Sequence, residues 1–253
     1  MQATLTRRIV AEAVGTALLV LVGTGSVVAA LTLGGGELDY AGLGFISLAF
    51  GVVVAVVIYG FGPVSGAHIN PVVTLALAVT RRFPWAEVVP YVLAQVVGAV
   101  VGSFAVVAVF GTGAADLGLG ATSLGEGVSF AQGMAAEAAG TFLLLFAVMA
   151  LAVNSQAPLG WAGLIIGLAV TAAILLIAPL TGGSLNPART FGPYVTLAIF
   201  GDGPDWAQLL VYFIGPLFGA VAAVLVFDFV AQTRAAEIPA AEESYTPSPG
   251  EES

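Results

Sequence analysis

Six apolar stretches, each long enough to cross a lipid bilayer, constrain this chain more than any other feature of its sequence. A helix needs about 20 predominantly apolar residues to span the hydrocarbon core of a membrane. The stretches are Ile9–Leu31, Leu43–Phe61, Trp85–Phe110, Phe130–Val153, Trp161–Pro179 and Trp206–Val230. They predict an all-α membrane protein with six transmembrane helices.

The composition excludes several other classes of protein. Charged residues make up 8% of the chain, whereas a soluble domain carries roughly 25%. The formal net charge of -9 leaves no basic surface for a nucleic-acid partner. Without cysteine, thiolate metal sites and redox chemistry are excluded. The sequence also lacks a nucleophile–base set, a metal-ligand cluster and a phosphate-binding loop, so we expect neither an enzyme nor a cofactor or metal.

The distribution of arginine predicts the orientation. Five of the six arginines, Arg7, Arg8, Arg81, Arg82 and Arg234, flank the predicted spans on one side of the membrane. The loops on the other side, around 32–42, 111–129 and 200–205, contain no basic residue. Loops rich in positive charge stay in the cytoplasm. We therefore expect a multi-pass protein of the cell (plasma) membrane with both termini in the cytoplasm.

Two further apolar segments, Val72–Thr80 and Ala188–Phe200, are too short to span a membrane. At 1.5 Å per residue each covers about half of a bilayer. Each follows a glycine-containing stretch, 62–67 or 179–184, which we expect to be non-helical. Irregular backbone persists at membrane depth only where it is buried in protein or lines a water-filled cavity. The two segments therefore predict re-entrant half-helices at a functional site.

The two halves of the chain carry the same landmarks in the same order. An Ala-Glu motif begins at Ala11 and Ala136, an Asn-Pro pair at Asn70 and Asn186, and a Gly-Ala pair at Gly98 and Gly219. Each half, about 8–110 and 130–230, contains three spans, so the halves enter the membrane from opposite sides. This pattern predicts an inverted repeat within one domain over residues 1–230. The acidic, proline-containing remainder, 231–253, is predicted to be a disordered cytoplasmic tail.

The Asn-Pro pairs predict where the half-helices begin. Asparagine is a good N-cap and proline is favoured at the first helical position. In an inverted repeat the helix starts at Asn70 and Asn186 point at each other near the midplane. Two helix N-termini place about half a positive charge each at that point, which repels cations and protons. Amide donors that capping does not use are available to a small neutral solute.

These residues resemble the aquaporin, or major intrinsic protein, family over about residues 8–230. The resemblance implies a homotetramer in membrane lipid, with one pore in each subunit. It also implies that Asn70 and Asn186 are the pore asparagines and that the selectivity filter consists of Phe50, Ile174, Gly183 and Arg189. Ile174 stands where water-strict members have histidine, which is similar to some archaeal aquaporins. Together with Gly183 it implies a wider and less polar filter.

Other polar groups of the predicted pore have more than one interpretation. The extended loops are expected to direct backbone carbonyls toward the solutes, from Gly66, Ala67, His68, Ser184 and Leu185. The intramembrane acids Glu12 and Glu137 either support these loops or form a proton relay. The symmetry of the two acids and the resemblance favour support. His68 either holds its loop in place or titrates as a gate.

Two functions are compatible with this pattern. The first is a passive channel for water, and for small neutral solutes such as glycerol or dissolved gases, that excludes protons and ions. The alternative is an ion- or proton-coupled secondary transporter with inverted repeats. That transporter would need a coupling site at the midplane, and the intramembrane charges are only Glu12, Glu137 and Arg189. The sequence therefore favours the channel.

Overall fold

The computed structural model describes residues 3–236, and the regular elements in that part of the chain are helical. They are α1 (Leu5–Leu33), α2 (Tyr40–Ser65), α3 (Pro71–Val79), α4 (Trp85–Phe110), α5 (Phe130–Val148), α6 (Ala162–Thr181), α7 (Pro187–Phe200) and α8 (Leu209–Ala236). A π-helical turn, Met149–Val153, continues α5. Within this range six helices are long and apolar enough to cross a membrane. The two short ones, α3 and α7, lie where half-helices were predicted, which confirms the fold class.

The glycine-containing stretches before the half-helices are more helical than the sequence analysis predicts. α2 continues through Pro63 and α6 continues through Pro179. A proline removes only one backbone donor, and transmembrane helices tolerate that loss. Each helix ends instead at a glycine in the left-handed conformation, Gly66 with φ 89° and Gly182 with φ 73°. The non-helical loops are therefore confined to 66–70 and 182–186.

The last helix is also longer than predicted. The predicted span ends at Val230, whereas α8 continues to Ala236. Residues 231–236 include three alanines, the strongest helix formers, and neither glycine nor proline, so nothing in the local sequence ends the helix at 230. Residues 237–253, which make up the rest of the predicted tail, lie outside the described residues.

The two halves use corresponding helix pairs. α1 packs along α4 and α2 in the first half, and α5 packs along α8 and α6 in the second. Each half-helix packs chiefly on the last helix of the other half, α3 on α8 and α7 on α4. Contacts between α2 and α6 complete the junction of the halves. This exchange of half-helices brings the loops 66–70 and 182–186 together in the interior.

Glycines allow the paired helices to pack closely against each other. A Cβ atom added to Gly98 of α4 would overlap the backbone of Ala13 in α1. One added to Gly219 of α8 would overlap the backbone of Ala138 in α5 in the same way. In lipid, helices associate largely through van der Waals packing, and small residues let their backbones approach. The repeated Gly-Ala pair is therefore a packing feature of both halves.

Replacement Gly98→Ala is expected to destabilise the protein because the new methyl group would meet backbone, which cannot move aside alone. Overpacking of this kind costs about 1–3 kcal/mol. The measurement is the thermal unfolding temperature of the purified protein in detergent, which should fall. Gly60→Ala in α2 is the control, since no described residue outside the adjacent part of α2 lies within 4 Å of its added Cβ. Equal unfolding temperatures for the two variants would contradict the packing role.

Candidate functional site

The half-helices begin at the two predicted asparagines. Asn70 Oδ1 accepts a hydrogen bond from the Val72 amide at 3.0 Å and caps α3. Asn186 Oδ1 accepts from the amides of Ala188 at 3.0 Å and Arg189 at 3.3 Å, and caps α7. Both side chains therefore satisfy helix N-terminal donors, as the sequence predicts.

Each asparagine also bonds to the loop of the other half. Asn70 Nδ2 donates to the carbonyl of Leu185 at 2.8 Å, and Asn186 Nδ2 donates to the carbonyl of Ile69 at 2.8 Å. These crossed hydrogen bonds join the two helix starts end to end. An amide nitrogen carries two donors, so one N–H of each asparagine is not used by these bonds.

A carboxylate from α1 holds the first loop. Glu12 Oε1 accepts from the His68 amide at 2.9 Å and from Ser65 Oγ at 2.7 Å. Its Oε2 accepts from the Ile69 amide at 2.6 Å and from Gln95 Nε2 at 2.9 Å. Glu12 is completely buried, and such a group is tolerated only where hydrogen bonds replace its hydration.

Glu137 of α5 holds the second loop in the corresponding way. Its Oε1 accepts from Thr181 Oγ1 at 2.7 Å and from the Ser184 amide at 2.9 Å. Its Oε2 accepts from the Leu185 amide at 2.7 Å. In the first half, Gln95 lies three residues before the Gly-Ala pair. The corresponding residue of the second half is Pro216, so Glu137 has no glutamine donor. The geometry favours loop support over a proton relay for both acids.

Two tyrosines give further support that the sequence analysis missed. The Tyr91 hydroxyl donates to the carbonyl of Ser65 at 2.9 Å, at the end of α2. The Tyr212 hydroxyl donates to the carbonyl of Thr181 at 2.9 Å, at the end of α6. Each tyrosine lies seven residues before the Gly-Ala pair of its half. Extending the repeat along α4 and α8 would therefore have revealed them.

Two cavities meet between the halves. The first, about 250 Å³, is bordered by the loops, by both asparagines and by Phe50. The second, about 380 Å³, is bordered by Asp39 and Tyr40 at the start of α2. Ile174 and Arg189 border both cavities, so they lie at the boundary between them, where the predicted filter would form the constriction. Among the described residues, no group of three acidic, histidine or cysteine side chains could hold a metal ion.

The residues predicted to offer carbonyls all border the first cavity: Gly66, Ala67, His68, Ser184 and Leu185. The Leu185 carbonyl is already bonded to Asn70. Within residues 3–236, the carbonyls of the other four have no protein donor. Unpaired carbonyls at membrane depth require water, so these four are the ones available to a solute.

Arg189 and Phe50 lie together at the constriction. The guanidinium carbon of Arg189 is 4.8 Å from the centroid of the Phe50 ring, within cation–π distance. Arg189 Nη1 donates to the carbonyl of Gly120 at 2.8 Å, and its Nε has no partner among the described residues. The loop containing Gly120 was predicted only as an external loop. A backbone carbonyl is not specific to any residue type, so no sequence signal pointed to Gly120.

Gly183 is the one predicted filter residue that borders neither cavity. It lies against Ile174, because an added Cβ would be 3.2 Å from Ile174 Cγ2. Gly183 has φ 64°, a conformation that glycine adopts without strain. The structure therefore brings Phe50, Ile174 and Arg189 to the constriction, with Gly183 in contact with Ile174.

Replacement Glu137→Gln is expected to lower stability because an amide N–H₂ would then face donors of the second loop. A buried backbone N–H left without an acceptor costs about 1–3 kcal/mol. The thermal unfolding temperature in detergent should fall clearly. Glu126→Gln, on an exposed loop, removes the same charge and should have little effect. The support role is wrong if both variants unfold at the wild-type temperature.

Comparison with known proteins agrees with this architecture. The sequence profile described as major intrinsic protein matches residues 1–227. The chain is 45% identical over 240 residues to an aquaporin of Methanothermobacter marburgensis, covering 89% of this chain and 98% of that protein. It is also 45% identical over 246 residues to a probable aquaporin of Archaeoglobus fulgidus, covering 92% and 100%. The X-ray structure of the aquaglyceroporin from Plasmodium falciparum superimposes with a TM-score of 0.80 at 23% identity, over 92% of this chain and 99% of that one.

Proposed function

Because the chain belongs to the major intrinsic protein family, whose members are channels and not enzymes, we propose that water and small uncharged solutes cross a membrane through its two cavities. The protein is a multi-pass membrane protein and a passive channel. One observation supports this path above all: two capped helix starts are joined end to end beside a cavity bordered by four unpaired carbonyls.

The helix starts supply the barrier to ions. The N-terminal half-charges of α3 and α7 add at the crossed asparagines, where surrounding protein screens them weakly. A cation meets unfavourable potential there, whereas a water molecule can accept from the remaining amide N–H of Asn70 or Asn186. Arg189 adds a full positive charge at the constriction. Glu12 and Glu137 are engaged by the loops, so the coupling site that a transporter needs is not supported.

The constriction sets the range of solutes. Arg189 and the carbonyl of Gly120 are its polar part, and Phe50 with Ile174 are its apolar part. An apolar side chain at 174 favours carbon-bearing solutes over a strict preference for water. We therefore infer that glycerol passes as well as water. The names of two similar proteins, the aquaglyceroporin and a glycerol uptake facilitator-like protein of Lactiplantibacillus plantarum, are in line with this inference.

We further propose a location in the cell membrane with both termini in the cytoplasm and a homotetrameric assembly. The arginines Arg7, Arg8, Arg81 and Arg82 support the orientation, because they lie at one end of the helices. Exposed apolar side chains recur every fourth residue along α4, at Val89, Leu93, Val97 and Val101. Such a stripe suits lipid or a neighbouring subunit.

Stopped-flow light scattering of liposomes containing the protein tests the proposed function. An osmotic shock with an impermeant sugar should cause faster shrinkage than in empty liposomes. A glycerol shock should cause shrinkage followed by prompt re-swelling. Liposomes whose interior holds a pH-sensitive dye should show no added proton leak. Failure to accelerate water movement, with the protein folded, would refute the open channel.

Replacement Ile174→His tests the constriction in the same assay. The imidazole adds a hydrogen-bonding group to the apolar part, so glycerol permeability should fall relative to water permeability. Ile166→Val, which also lies on the wall of the first cavity but away from the second, is the matched control. An unchanged glycerol-to-water ratio for Ile174→His would exclude residue 174 from the filter.

A further inference from the structure

A glycine of α1 lies directly against the aromatic ring of the proposed filter. A Cβ atom on Gly23 would overlap three atoms of the Phe50 ring, Cδ1, Cε1 and Cζ. The overlapping group is thus the far end of a side chain rather than backbone. Gly25, two residues further along α1, differs in this respect: its added Cβ would make only ordinary contacts, at 3.6 Å to Phe110 and 3.8 Å to Val106.

The Phe50 ring is confined by what surrounds it. The Arg189 guanidinium carbon lies 4.8 Å from the ring centroid. The ring is 3% exposed and borders the first cavity. The backbone of α1 and the guanidinium lie against the ring, and the first cavity is open space beside it.

We propose that Gly23 is a specificity-determining residue of the channel, which acts by letting the Phe50 ring lie back against α1. This inference rests on the proposed function, because it assumes that solutes pass through the first cavity beside Phe50 and Arg189. Gly23 touches no solute and acts only through the ring, so it is a positioning residue. Its missing side chain leaves the space that the Phe50 ring occupies beside α1.

The proposal predicts a selective effect of Gly23→Ala. The methyl group would drive the ring toward the cavity and narrow the passage. Glycerol permeability should then fall about tenfold relative to water permeability, equal to about 1.4 kcal/mol of barrier height. Water is smaller and should lose much less. Gly25→Ala on the same helix is the matched control and should keep the wild-type ratio.

A double-mutant cycle separates a ring-mediated effect from a general disturbance of α1. Phe50→Leu removes the ring, and it should raise glycerol permeability relative to water. Adding Gly23→Ala to Phe50→Leu should then leave the ratio unchanged, because the methyl group no longer meets a ring. The measurements are water and glycerol permeabilities in liposomes, with protein content and folding checked by size-exclusion chromatography.

The outcomes distinguish this inference from the proposed function. If the wild type moves neither water nor glycerol faster than empty liposomes, the proposed function fails. The role of Gly23 is wrong if the wild type conducts but Gly23→Ala lowers both permeabilities in proportion. It is also wrong if Gly23→Ala changes the glycerol-to-water ratio by the same factor in the Phe50→Leu background as in the wild type. If Gly23→Ala alone does not fold, the pair of Phe50→Leu variants decides, since a change in ratio between those two overturns the proposal.

Discussion

Extended backbone can persist inside a membrane only where other groups meet its N–H donors, and two buried carboxylates meet them here. Glu12 and Glu137 bind consecutive amides of the loops 66–70 and 182–186. The carboxylates consume the donors and leave carbonyls of the same loops unpaired. The helix starts, the asparagine pair and the row of carbonyls all depend on this assignment of donors. Both oxygens of each carboxylate accept a loop amide, and this geometry favours a structural role for the two acids despite their position in the membrane.

The parts of the site that follow local rules were predictable from the sequence. Asparagine before proline signals a helix start, and both predicted starts are capped as expected. Span length predicted the six long helices, and the repeated motifs predicted the two half-helices. These features depend on residue type and spacing, which a sequence displays directly.

The parts that depend on three-dimensional approach were not predictable in the same way. The side-chain amide of Gln95 in α4 donates to Glu12 in α1, a residue 83 positions earlier in the chain. The carbonyl of Gly120 reaches Arg189 because its loop folds inward. The sequence predicts non-helical stretches at 62–67 and 179–184, whereas α2 and α6 continue into them until a left-handed glycine, Gly66 or Gly182, ends each helix. These contacts and helix ends depend on how the backbone folds in three dimensions, which the residue types alone do not specify.

The two halves of the inverted repeat contribute different residues to the proposed transport path. The positions in the first half that correspond to Ile174 and Arg189, at the same distances from the asparagine, are Ile58 and Val73. Both border the first cavity and neither carries a charge. The charge of Arg189 therefore has no counterpart in the first half, so the proposed path is electrostatically asymmetric although the fold is repeated. Solute selection can then be tuned from one half of the chain without disturbing the midplane that both halves share.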